Sequence, residues 1–190
     1  MPEPSLEQIR KIVEERKKKG ETVMPSLIPG PDVAVDNEGK VVVVEVATTG
    51  AVVASRPVSQ VPKDTFASDM ARYTKEQSFV KSKMPSNTYR IDDRGVEGWV
   101  YSVKTGSPYF DAYTFFMYFD SGYYYVKLIE PDEAGKHEVT RCHLFPDGKL
   151  CLSMSNGGGY SEMGQTYSKS VIWAKGFSEY LREGSFPFVW

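Results

Sequence analysis

The sequence predicts an α+β domain, with helices segregated from an antiparallel sheet. Three observations predict it. Segments at helical spacing stand before and after a block of strand-like runs. The runs follow one another with only Gly, Ser, Pro and Asp turns between them, so they pair as a meander and not as βαβ units. Aromatic residues make up 13% of the chain, with 12 Tyr and 10 Phe, a composition that favours stacked rings on a sheet.

The elements follow in order. Ser5 stands at a helix N-cap position, with Gln8 three residues on at capping-box spacing. Leu6, Ile9, Ile12 and Val13 recur at helical steps, and Gly20 ends the helix after Lys17, Lys18 and Lys19. Glu14 and Glu15 precede the lysines, so the run reads as a solvated helix end and not as a nucleic-acid patch. The stretch MPSLIPGPD is a linker or an ordered turn. Lys40–Ala47 and Ala51–Ser55 read as a hairpin around Thr48-Thr49-Gly50. Residues 1–62 therefore form an N-terminal extension of helix plus hairpin, and residues 63–190 the main domain.

In the main domain, Asp64 or Thr65 caps a second helix. Its face runs through Phe66, Met70, Tyr73, Gln77 and Val80, and Pro85 bounds it. Strands follow over Gly98–Thr105, Tyr109–Phe119 and Tyr123–Ile129, with a fourth over Glu138–His143. Residues 153–166 are a loop. A last helix spans Ser168 to Arg182, with Val171, Ala174, Phe177 and Leu181 on its apolar face and Gly184 at its end.

Composition excludes several classes. Lys+Arg is 23 against Asp+Glu 25, a net charge of −2, so the basic excess of a nucleic-acid binder is missing. A chain of 190 residues buries roughly 70% of its unfolded surface and needs no metal or disulfide staple. Two cysteines do not make a disulfide scaffold. The first twenty residues are too charged for a signal peptide. Val41–Val44 and Phe115–Phe119 are far short of the ~20 apolar residues that span a bilayer. The expectation is a soluble, cytoplasmic protein with neither a nucleic-acid nor a membrane partner. No cofactor motif stands in the chain.

The informative segment is Cys142-His143-Leu144-Phe145-Pro146-Asp147-Gly148-Lys149-Leu150-Cys151-Leu152. It admits three readings. His137, Cys142, His143 and Cys151 are soft ligands in one stretch, but neighbouring Cys142 and His143 point to opposite sides of a strand, unlike a zinc knuckle. His143 and Cys151 could meet as a protease dyad if the chain turns back at Pro146-Asp147-Gly148.

The third reading is a resemblance. His143, then Asp147-Gly148-Lys149, then Leu150-Cys151-Leu152, after an aromatic meander and before a helix, resembles the ubiquitin-conjugating enzyme family. In that family a His-Pro-Asn turn leads through a glycine to an Ile/Leu-Cys-Leu active site. The chain is most similar to the bacterial members found in antiphage operons. Ser170-Val171-Ile172-Trp173-Ala174, Glu179-Tyr180-Leu181 and Gly184-Ser185-Phe186-Pro187 resemble their tryptophan-bearing helix and Gly-x-aromatic-Pro tail. The likeness covers about two-thirds of the chain. Here His143 is followed by Leu144-Phe145 and not by Pro-Asn.

The resemblance implies a UBC-like domain: an antiparallel four-stranded meander with helices on one side. It implies that Cys151 carries a ubiquitin-like protein, or another protein's C-terminus, as a thioester and passes it to an amine. His143 buttresses the turn or acts as a base, and Asn156 is a spatial candidate for holding the oxyanion; an acid near the amine path can orient the amine, and Asp147 and Glu162 are the acids nearest in sequence. The partners implied are an ATP-using, adenylating activating enzyme, a ubiquitin-like protein or an immune nucleotide cyclase as cargo, and an amine-bearing target. The rival reading is an inactive UBC-like binding or adaptor module.

Overall fold

The computed structural model describes residues 3–20, 26–27, 33–35, 41–43 and 65–188. Helix α1 spans Leu6–Lys18, and three short strands follow: β1 (Ser26–Leu27), β2 (Val33–Val35) and β3 (Val41–Val43). Helix α2 (Thr65–Lys83) leads into β4 (Tyr89–Asp93), β5 (Val96–Lys104), β6 (Ala112–Asp120) and β7 (Tyr123–Glu130). A single helical turn, α3 (Val139–Cys142), and a long helix, α4 (Met163–Glu183), complete the order.

The predicted α+β class holds. The strands β4 to β7 form an antiparallel sheet of four neighbours, and β1 pairs in parallel with β5 through Ser26 and Leu27. The identity of the fourth strand differs from expectation. Glu138–His143 does not pair as a strand: Val139–Cys142 is one helical turn, and His143 leaves it in the left-handed region at φ 55°. The fourth strand is β4, which folds back on β5 across Arg94-Gly95.

The register assigns each side chain to a face. Trp99, Tyr101 and Val103 oppose Met117, Phe115 and Tyr113, while Val100 opposes Phe116. Successive side chains in a strand alternate between faces. The first set packs with Trp173, Ala174 and Phe177 of α4. Val100, Phe116, Ile91 and Ile129 pack instead with Ile9, Ile12 and Val13 of α1. Both faces are covered, so β5 and β6 are buried almost throughout.

This corrects the expectation of helices on one side only. Helix α1 is not a loose appendage but packs Ile9, Ile12 and Val13 into the core on this face. Ser5 is its N-cap residue, although no side-chain capping bond forms, and the chain turns at Gly20 as expected. The predicted hairpin pairing is not what the described residues show. Val41–Val43 is a strand, but its antiparallel partner is Val33–Val35. Ala51–Ser55, Asp64 and the boundary at residues 62 and 63 lie outside the described residues.

Two helix faces also differ. Of the expected α2 face, Tyr73 and Val80 pack inward, whereas Met70 and Gln77 are exposed and Glu76 joins the seam. Glu76 is 4% exposed and accepts hydrogen bonds from Trp99 Nε1 (2.9 Å), Tyr124 OH (2.9 Å) and Arg72 Nη1 (2.7 Å). A carboxylate can be buried when it is this well supplied with donors. Helix α4 begins five residues before its predicted start because Met163, Thr166 and Tyr167 are buried. Leu181 is exposed. Gly184, at φ 73°, ends the helix as predicted.

Candidate active site

After β7 the chain leaves the sheet, makes the turn α3, and re-enters as a tight hairpin. Leu144 and Leu150 face each other as an antiparallel bridge. Phe145 donates to the Lys149 carbonyl (2.8 Å) and Gly148 to the Phe145 carbonyl (2.9 Å), so Pro146-Asp147 is the tip. The turn expected at Pro146-Asp147-Gly148 is therefore present. The hairpin docks along β7: Leu128 donates to the Gly148 carbonyl and Leu150 to the Val126 carbonyl, both at 2.8 Å.

Cys151 sits at the foot of this hairpin. Leu150 and Leu152 are both fully buried in the core shared with α4. In extended backbone the residue between two inward leucines points outward. Cys151 is accordingly half-buried, with a free thiol whose Sγ lies 3.6 Å from the Ser153 carbonyl oxygen. Its backbone is fixed on every side. Cys151 N–H donates to the His143 carbonyl (2.8 Å), and Leu152 N–H to the Gly158 carbonyl (3.2 Å). Tyr124 and Tyr160 then tie the outgoing chain to β7.

Gly158 closes over this backbone. It has φ 95°, and a Cβ there would lie 2.7 Å from the Leu150 oxygen and 3.1 Å from Cys151 Cα. Only glycine combines that conformation with that approach.

The structure brings together some of the four expected residues and not others. His143 and Cys151 meet across the hairpin through their backbones. The His143 ring packs edge-on against Phe186, 5.0 Å between centroids. Burial pushes its imidazole below the ordinary range. Asp147 lies at the hairpin tip, where it binds Lys127 Nζ at 2.8 Å and accepts from Lys149 N–H at 3.2 Å. Asn156 opens a 3-10 turn at Asn156–Gly158, is exposed, and has φ 52°. Among the described residues no hydrogen bond joins its side chain to Cys151.

Burial pushes the Cys151 thiol up, and the nearby Lys149 ammonium partly offsets this. Cys142 differs in kind. It is fully buried, its Sγ donates to the Glu138 carbonyl (3.3 Å), and burial also pushes its thiol up. It is a core residue. Among the described residues no group of three His, Cys, Asp or Glu side chains could hold a metal ion. No described helix is long and apolar enough to cross a membrane.

Sequence reasoning missed Tyr160 and Ser153. Burial pushes the Tyr160 phenol up, the charge of Cys151 adds to this, and the Ser153 side chain partly offsets it. Lys169 Nζ stands 5.8 Å from the centroid of its ring. Tyr160 follows three glycines in a segment read as a plain loop, so only its pairing with β7 reveals it. The chain matches no protein-family model, no curated protein and no solved structure.

Proposed function

We propose that this chain is a ubiquitin-conjugating-like carrier that holds a ubiquitin-like protein, or another protein's C-terminus, as a thioester on Cys151. One observation carries the reading. A half-exposed thiol is held on pinned backbone between two buried leucines, after an antiparallel meander and before the helix that packs on it. That arrangement fixes the sulfur while leaving it open to another protein's acyl group.

The chemistry asks little of the thiol in the first step. The Cys151 thiolate attacks the acyl carbon of the activating enzyme's thioester. A new C–S bond forms, the old one breaks, and the proton lost by Cys151 returns to the departing sulfur through solvent. Like is exchanged for like, so a small thiolate fraction suffices, and an unperturbed cysteine at pKa ~8.5 supplies a few per cent at pH 7. Burial raises the thiol, which lowers the thiolate fraction and slows this step.

In the second step an amine attacks the Cys151 thioester, an amide forms, and the Cys151 thiolate leaves. The amine's proton passes to solvent or a nearby base. The transient oxyanion needs donors, and losing one such donor typically costs roughly 100- to 1000-fold. Ser153 and Ser155, whose hydroxyls bond each other just after Cys151, and Tyr160 are the candidate donors. Activation of the cargo falls to a separate ATP-using enzyme. An antiphage setting, with a ubiquitin-like protein or an immune nucleotide cyclase as cargo, is part of the same proposal.

Expression of Cys151→Ser in the native host tests the reading. The carrier reading expects a thiol-labile protein adduct on the wild type and a thiol-resistant ester on the variant. A second reading, an inactive adaptor, draws on the raised thiol and on a His143 ring turned to Phe186. It expects no adduct on either form and full biological activity with Cys151→Ala.

A further inference from the structure

We propose that the N-terminal residues 3–6 clamp the Cys151 hairpin and set its position and reactivity, with Glu3 as the positioning residue and Lys127 as the buried pivot. The consequence for acyl transfer rests on the carrier reading; the clamp itself does not.

The clamp joins segments that are distant in the chain. Lys127, on β7, has a side chain only 3% exposed, and its ammonium lies between two carboxylates. Glu3 Oε1 is 3.2 Å away on one side, and Asp147 Oδ2 is 2.8 Å away on the other. Glu3 Oε1 also accepts from the Tyr118 hydroxyl (2.6 Å) and lies 3.6 Å from Lys149 Nζ. One carboxylate from the N-terminal segment thus touches β6, β7 and the returning arm of the hairpin.

Leu6 adds an apolar contact to the ionic one. It packs so closely on Gly148 that a Cβ there would lie 2.7 Å from Leu6 Cδ2. Gly148 has φ 81° and hands its carbonyl to Leu128. The N-terminal segment therefore presses on the hairpin tip from outside while β7 holds it from inside.

The charges explain why the parts stay together. A buried ammonium without partners is costly, so Lys127 holds both carboxylates to itself. Burial pushes the Glu3 carboxyl up, but the Tyr118 hydrogen bond and the Lys127 and Lys149 charges outweigh it and hold it below the ordinary range. Burial likewise raises Asp147, and its bond to Lys127 outweighs that. Both carboxylates are thus ionised at neutral pH.

The link to Cys151 runs through Lys149. Lys149 is two residues away on the same arm and is the cation that the thiol senses. Its ammonium lies 5.4 Å from the Tyr125 ring centroid and 5.6 Å from that of Phe145, and Glu3 offsets its charge. The other titratable groups around Cys151 are His143 across the hairpin and Tyr160 behind it. Glu3 thus fixes where the Lys149 charge sits relative to the hairpin arm that carries the sulfur.

Two measurements on the full chain test this. The first is amide hydrogen exchange over residues 145–151, with residues 171–177 of α4 as the control. Glu3→Gln should speed exchange at Gly148, Leu150 and Cys151 by about tenfold and leave α4 unchanged. The second is the pH midpoint of iodoacetamide alkylation at Cys151. Glu3→Gln should lower it by about half a pH unit, and the shift should vanish when Lys149→Met is added. Tyr118→Phe, which removes a single bond to Glu3, should act in the same direction with smaller size.

Unchanged exchange over 145–151, an equal acceleration in α4, or an unmoved midpoint overturns the clamp. Neither measurement needs an acyl cargo. A chain that never carries a thioester but shows these local changes loses the proposed function and keeps the clamp. A chain that carries the thioester and shows none of them loses the clamp and keeps the function.

Discussion

The two faces of the sheet are built by different means. The α1 face is an aliphatic patch of Ile9, Ile12, Val13, Ile91, Val96, Val100 and Ile129, with Phe116 and Tyr118 beside it. Its specificity lies at the rim, in Arg10 with Asp132 (2.8 Å), Lys17 with Glu130 (2.6 Å) and the Glu3 network. The α4 face is aromatic and bonded internally. Tyr101 pairs with Ser170 (2.6 Å), Tyr113 with Ser178 (2.8 Å), and Trp173 Nε1 donates to the Cys142 carbonyl (2.9 Å). Aliphatic contact is non-directional, whereas a buried hydroxyl pair fixes the register of a helix on a sheet. The face that sets α4 against the Cys151 segment is the one with directional bonds.

That contrast can be broken, beginning with the largest effect. Trp173→Ala should cost about 3–5 kcal/mol of unfolding free energy, because it opens a cavity among Tyr113, Phe115 and Phe177 and leaves the Cys142 carbonyl unpaired. A shift of that size in a urea unfolding curve checks it. Ile9→Ala, on the other face, should cost about 2–4 kcal/mol in the same assay. It should leave the near-ultraviolet circular dichroism of the α4-side rings unchanged, while Trp173→Ala alters it. Equal spectral changes in the two variants would erase the distinction between the faces.

Smaller substitutions sharpen it. Tyr101→Phe and Tyr113→Phe should each cost about 1 kcal/mol, since each leaves a buried serine hydroxyl with one partner fewer. Amide exchange in α4 should rise in both. The smallest effect is a pH dependence at His143. Burial holds its imidazole below the ordinary value of 6.5, so the folded chain favours the neutral ring. As pH falls below 6.5 the unfolded chain takes up the proton first, and stability is lost until the folded ring protonates too. His143→Gln should flatten the stability profile as pH falls through the ordinary histidine range, read as the difference in urea midpoint.

The legible parts of the chain were those where a local rule met a tertiary need. The meander was legible because β5, β6 and β7 are separated by short turns and rich in aromatic residues. Gly20 and Gly184 marked helix ends because both adopt positive φ. The Leu-Cys-Leu alternation told which side of Cys151 is buried, and the cysteine's environment follows from it.

Other parts could not be read locally. Glu138–His143 has β-branched and apolar residues, but the chain must turn there to feed the hairpin, and the turn wins. The inward seam of α2 passes through Glu76, which no hydrophobic pattern reveals, because its burial depends on Trp99 of β5 and Tyr124 of β7 together with Arg72 one turn back on the same helix. Asp147 was read as an acid near an amine path. Its engagement with Lys127 depends on Lys127 being buried beside it, and burial of a lysine is not written in its neighbours. The placement of α1 over the second face explains why β5 and β6 lack the apolar–polar alternation of a one-sided sheet.

The two cysteines differ in kind, Cys142 a packed core residue and Cys151 a half-buried thiol proposed as the carrier. The direct test is intact-mass analysis of the wild type, Cys142→Ser and Cys151→Ser, each purified without thiols from the native host. The account predicts a protein-sized adduct, released by dithiothreitol, on the wild type and on the folded fraction of Cys142→Ser. On Cys151→Ser it predicts either none or a dithiothreitol-resistant ester. Adducts that persist as thioesters on Cys151→Ser, or an absence of adduct on all three chains, would contradict it.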